Sequence, residues 1–214
     1  MIVLVGFMGA GKTTVGTLLA ARLGLPFTDS DHVIEQRAGR PVRQIFAEDG
    51  EPAFRALEHE VIAALLDGPP MVLALGGGAP GHPPTRDRLA SDPAAQVVYL
   101  QVGYADAMLR VGGDTGRPLL ARPDLPALYR RRLPLYAAVA TLTIPTGGRP
   151  PEAVTDDILA RLARVPVPGA RVPAADHRPP TQSTRRNPAN PTRPTRPKPD
   201  YRGPLYPPDG LSRI

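Results

Sequence analysis

Along residues 1–164, short apolar runs rich in β-branched residues alternate with stretches whose apolar positions recur at helical spacing. Ile2-Val-Leu-Val5 predicts a first strand and Thr13–Leu23 a helix. Leu25-Pro-Phe-Thr28 predicts a second strand ending at Asp29, followed by short helices over Asp31–Arg37 and Val42–Glu48. Pro52 suits the first turn of a longer helix, where its missing N–H costs nothing. Phe54, Leu57, Val61, Ile62 and Leu65 then give that helix one buried face. Met71-Val-Leu-Ala-Leu75 is uniformly apolar, as a strand covered on both faces should be. Gln96–Gln101 and Thr141–Ile144 predict the fourth and fifth strands, with Asp106 in the helix between them. Leu128–Val139 reads as a helix that kinks or restarts at Pro134, and Pro151–Arg164 as the last helix. Alternating strands and helices predict an α/β fold: a five-stranded parallel sheet between two helical layers, with right-handed crossovers.

The charge pattern divides the chain. The whole sequence carries a net charge of +6, but Lys/Arg and Asp/Glu balance over residues 1–164. The excess lies in residues 165–214, which also hold 13 of the 29 prolines. With few apolar residues to offset its ordering entropy, that tail is expected to be disordered or locally polyproline II. It is either a solubilising extension or a segment that docks on an unidentified partner. The neutral domain argues against nucleic acid as a partner, despite Arg130-Arg-Arg132. There is no cysteine, hence no disulfide, thiolate zinc site or thiol nucleophile. No apolar run reaches membrane-spanning length and no leader precedes the first strand, so the expectation is a cytoplasmic protein without a membrane partner.

Gly6-Phe-Met-Gly-Ala-Gly-Lys12-Thr13 fits the phosphate-loop pattern at every fixed position, between a strand and a helix. Backbone N–H groups of such a turn converge on an anion at the positive end of the helix dipole. Gly9, Ala10, Gly11, Lys12, Thr13 and Thr14 are therefore the candidate ATP-binding residues, with the Thr13 hydroxyl a ligand for Mg²⁺. Asp29 and Asp31 follow strand two; in an extended segment they would face one crevice, one for the Mg²⁺ hydration shell and one as a base. The alternative is a helix-capping Asp beside a solvated one. Arg55 and Glu58 are helical neighbours, and an exposed ion pair is the alternative to a role in the site. Gly76-Gly-Gly78 at the end of a buried strand permits close approach of a ligand to backbone donors. The glycines between Arg110 and Arg117 give a segment of about 110–124 the look of a lid.

Together these residues resemble the shikimate kinase family from Ile2 to about Leu162. The resemblance rests on the phosphate loop, Asp29-x-Asp31, Ile45-Phe-Ala-Glu-Asp-Gly-Glu51 with Phe54-Arg55 and Glu58, Gly76-Gly-Gly78, Arg117-Pro-Leu-Leu120, and Arg132-x-Pro-Leu-Tyr136. It implies a P-loop kinase fold of sheet order 2-3-1-4-5, a monomer, and phosphorylation of the shikimate 3-hydroxyl by MgATP. It also implies roles. Asp31 binds ring hydroxyls and acts as base; Arg55 and Arg132 clamp the substrate carboxylate. Gly77 and Gly78 donate backbone N–H groups, and Phe46 and Phe54 wall the pocket. Lys12 and Arg117 neutralise the γ-phosphoryl, Thr13 and (through water) Asp29 hold Mg²⁺, and Arg110 and Arg149 flank the adenine. The Leu120–Tyr129 stretch is slightly short for the family, and the tail has no counterpart in it. Gluconate and nucleoside monophosphate kinases share the architecture and the phosphate loop. A nucleotide-dependent scaffold acting through the basic tail is the non-enzymatic alternative.

Overall fold

The computed structural model describes residues 1–112 and 124–163. The expected tail at 165–214, and all but the ends of the expected lid at 110–124, lie outside these residues. Five strands form one parallel sheet in the order β2-β3-β1-β4-β5: β1 Ile2–Val5, β2 Phe27–Asp29, β3 Val72–Ala74, β4 Gln96–Gln101 and β5 Leu142–Pro145. Val3, Leu4, Val72, Leu73, Val97 and Val98 are sealed from solvent because helices cover both faces. The helices are α1 Lys12–Leu23, α2 Ser30–Ala38, α3 Val42–Glu48, α4 Gly50–Leu66, α5 Pro83–Ser91, α6 Tyr104–Val111, α7 Leu125–Val139 and α8 Pro151–Leu162. Helix α1 packs with α8, whereas α4, α5 and α7 form a second group. A smaller core of Ile34, Ile45, Phe54 and Val61 joins α2, α3 and α4 at the β2 side of the sheet.

The structure narrows one local expectation, corrects a second and adds an element that was not expected. Helix α7 runs through Pro134 without restarting. The Pro134 ring is exposed while Leu125, Tyr136 and Val139 are buried on either side of it. On the solvent face a helix is already convex and water can take the freed carbonyl, so packing outweighs a proline cost of about 3 kcal/mol. Second, Asp31 is not part of an extended segment. The Asp29 carboxylate accepts the Asp31 N–H at 3.1 Å and turns the chain helical at Ser30. Third, α5 was not foreseen. Its pattern is mostly polar, and its signals are a proline start and buried Thr85 and Leu89 one turn apart.

Candidate active site

The phosphate loop, Asp31 and Gly76-Gly-Gly78 follow the carboxyl ends of β1, β2 and β3, the edge at which open α/β sheets bind ligands. On the nucleotide side, Gly9 and Gly11 take φ values of 74° and 92°, in the left-handed region that favours glycine. A Cβ on Gly9 would also meet the Ala107 carbonyl at 2.7 Å. No side chain caps the start of α1, so its first N–H groups are open to an anion. Lys12 lies across the loop, with Nζ donating to the Gly6 and Phe7 carbonyls at 3.0 and 3.3 Å. The Thr13 hydroxyl donates to Asp29 Oδ2 at 3.4 Å, a pair of exposed hard oxygens whose chemistry fits Mg²⁺.

Beside the loop is a cavity of about 170 Å³ lined by Ala10, Gly11, Thr14, Arg110, Thr146 and Arg149, among others. Arg110 ties its two walls together, donating to Gly9 O at 3.1 Å and to Thr146 O at 2.5 Å. The Arg149 guanidinium turns back onto α8, held by Asp157 at 3.1 Å and the Ala153 carbonyl at 2.9 Å. Both expected adenine-flanking arginines therefore border this cavity, each already engaged by protein. Arg117 lies outside the described residues.

The acceptor side is assembled from distant segments. Arg55 on α4 and Arg132 on α7 line one cavity of about 700 Å³ with Gly78, His82 and Leu128. Arg55 rests near the rings of Phe46 and Phe54, 5.7 and 5.1 Å from their centroids. Its Nη1 donates to Glu58 Oε2 at 2.5 Å, and the Glu58 side chain is fully buried, so this is no exposed pair. Burial pushes the Glu58 carboxyl up to about 7 despite the adjacent Arg55. Asp31 is raised to about 6, first by burial and then by Asp29, against the opposing pull of Lys12 and Arg55. Asp31 Oδ1 and Glu58 Oε1 are buried with no hydrogen-bond partner among the described residues. Both flank Gly76, where a Cβ would stand 2.6 Å from the first and 2.8 Å from the second.

Two residues missed in the sequence fix the triple glycine. Ser30 Oγ, fully buried, accepts the Gly76 N–H at 3.0 Å, and the Tyr136 hydroxyl donates to the Gly77 carbonyl at 2.6 Å. Tyr136 stood inside the Arg132-x-Pro-Leu-Tyr136 motif, one turn from Arg132, which was the available signal. Ser30 carried none beyond its place between two aspartates. The N–H groups of Gly77 and Gly78 have no protein acceptor among the described residues.

The chain is similar to known proteins in sequence and fold. The family described as shikimate kinase matches residues 8–163. A shikimate kinase of Thermobifida fusca is 53% identical over 165 residues, covering 76% of this chain and 94% of the relative. One from Salinispora arenicola is 50% identical over 164 residues, covering 75% of this chain and 96% of the relative. Among solved structures, shikimate kinase from Acinetobacter baumannii in complex with shikimate superposes with a TM-score of 0.70. It is 40% identical, with 76% of this chain and 92% of that one covered. Matched over most of its length by family, sequence and fold, the chain belongs to the shikimate kinase family.

Proposed function

We propose a division of labour among these residues in the ATP-dependent phosphorylation of shikimate, the reaction of this kinase family and of this chain. ATP is the co-substrate, its phosphates in the Gly9–Thr14 cradle and its adenine in the cavity between Arg110 and Arg149. The shikimate carboxylate binds Arg55 and Arg132, whose planar guanidinium groups suit a bidentate anion. Gly77 and Gly78 donate N–H groups to the substrate, and Phe46 and Phe54 close the wall behind Arg55.

The 3-hydroxyl oxygen forms a bond to the γ-phosphorus as the bond to the β–γ bridging oxygen breaks, ADP leaves, and the hydroxyl proton passes to Asp31. A carboxyl raised to about 6 is ionised at neutral pH yet basic enough to take that proton. Lys12, with Arg117 by its sequence match, neutralises charge on the transferring group. Thr13 and, through water, Asp29 would hold Mg²⁺, which would supply positive charge to offset that of the phosphates. No helix among the described residues is long and apolar enough to cross a membrane. Small polar substrates and a cysteine-free sequence support the cytoplasm.

The observation that carries this reading is the convergence of Arg55 and Arg132 on one pocket beside Asp31. A gluconate kinase is expected to lack the joint set of Asp31, Arg55, Arg132 and the triple glycine, and in a nucleoside monophosphate kinase the two arginines would have to serve a phosphate. ADP release coupled to NADH oxidation, measured with shikimate, gluconate and nucleoside monophosphates, tests it. Turnover with shikimate alone is expected; release driven by another acceptor and not by shikimate overturns the assignment.

A further inference from the structure

Tyr136 is buried to 1% exposure, its ring packed 5.3 Å from that of Tyr99. Burial raises its pKa far above the ordinary phenol range, so the hydroxyl keeps its proton. That single proton is committed to the Gly77 carbonyl at 2.6 Å. The remaining lone pairs can only accept, and the Arg132 guanidinium, one helical turn away, is a positive charge close to the same hydroxyl. The three groups meet at one point: a Cβ on Gly77 would lie 3.6 Å from Arg132 Nη1 and 3.7 Å from the Tyr136 hydroxyl.

The peptide between Gly77 and Gly78 is planar and trans, so fixing the Gly77 carbonyl toward Tyr136 turns the Gly78 N–H to the opposite side. There it has no protein acceptor among the described residues. Ser30 holds the other flank through the Gly76 N–H. Left alone, three consecutive glycines would sample many backbone states, so a donor carried on them needs an external hold.

We propose that Tyr136 is a positioning residue for the acceptor. One hydroxyl sets the Arg132 guanidinium and the Gly77–Gly78 peptide plane in a common register, so that the carboxylate clamp and the backbone donor meet the same shikimate molecule. This rests on the assignment of Arg132 and Gly78 to shikimate.

The test is Tyr136→Phe, which keeps the ring against Tyr99 and removes only the oxygen. Loss of one neutral hydrogen bond with its register should raise the shikimate KM about three- to tenfold. The ATP KM should stay at the wild-type value. A general structural fault would move both constants together, and that outcome overturns the proposal whatever happens to thermal stability. An unchanged shikimate KM in Tyr136→Phe overturns it as well. Arg132→Ala, measured alongside, separates the two levels. If it raises the shikimate KM while Tyr136→Phe does not, the clamp stands and the positioning role fails. If Arg132→Ala leaves the shikimate KM unchanged, the clamp assignment itself fails and takes the positioning role with it. In the double variant the rise should fall short of the product of the single rises; a full product removes Arg132 from the register.

Discussion

The nucleotide and acceptor halves of the site lie side by side but are built by different means. The nucleotide half is one continuous segment, Gly6 to Thr14, whose backbone does most of the work through positive-φ glycines and an uncapped helix start. The acceptor half draws Asp31, Arg55, Gly77, Gly78 and Arg132 from α2, α4, the β3 end and α7. Its charges are withdrawn from water: Glu58 is fully buried and Asp31 is raised to about 6. A backbone cradle tolerates solvent because its donors are many and fixed. A clamp made of side chains needs burial and neighbours to hold each group, so its tuning is electrostatic and its failures should be specific to shikimate.

The largest expected effect falls where the halves meet. Asp31→Asn removes the proton acceptor and should lower kcat by about 10²–10⁴-fold, with the ATP KM nearly unchanged. Because the Asp31 carboxylate is destabilised by burial, the variant should melt no earlier than the parent near neutral pH. Steady-state kinetics and calorimetry check both; a comparable loss of ATP affinity would break the separation of the halves.

Arg132→Ala probes the clamp alone. A charge-assisted hydrogen bond is worth about 1.5–3 kcal/mol, so the shikimate KM should rise roughly 10- to 150-fold with little change for ATP. Equal effects on both substrates would mean that Arg132 serves the nucleotide, and the contrast between the halves would lose its acceptor anchor.

Two glycine variants sharpen the same contrast more gently. Gly9→Ala forces a Cβ onto φ 74° and within 2.7 Å of the Ala107 carbonyl, so the ATP KM should rise. Gly76→Ala puts a Cβ 2.6 Å from Asp31 Oδ1 and 2.8 Å from Glu58 Oε1, so the shikimate constants should suffer instead. A cost of about 1–2 kcal/mol in each corresponds to roughly 5- to 30-fold. Measuring both KM values for both variants is decisive: the changes should cross over, and parallel changes would argue for one undivided site.

The same division explains what was legible in the sequence. The phosphate loop could be read from eight consecutive residues because its chemistry is local. The sheet order was foreseen through resemblance, and β4 and α3 to the residue through periodicity. Acceptor residues were legible only as a joint set, since Arg55 and Glu58 alone read equally well as an exposed pair. Burial of Glu58 depends on the β3 end folding over it, which no local pattern encodes. Ser30 and Tyr136 were missed for a related reason. They bond to backbone atoms of Gly76 and Gly77, and a backbone partner leaves no mark on the sequence.

Acidity gives the mildest and most diagnostic perturbation, because among the described residues only the acceptor half carries raised carboxyls. Asp31 at about 6 and Glu58 at about 7 both take up protons as the pH falls below neutrality. Protonated Asp31 cannot accept the hydroxyl proton, and protonated Glu58 no longer neutralises Arg55. The kcat/KM for shikimate should therefore fall several-fold between about pH 7.5 and pH 6, while the ATP KM stays flat. Stability should run the other way. Both pKa values lie above their unfolded values, so the folded state binds more protons between those limits. These two groups contribute most to stability below about pH 4, and the contribution is lost as the pH rises through their folded values. Activity is thus expected to drop on acidification while the part of the melting temperature set by Asp31 and Glu58 rises. Asp31→Asn should flatten that rise, and an activity loss that tracks unfolding in the parent would show that the acid limb is not the chemistry of the acceptor half.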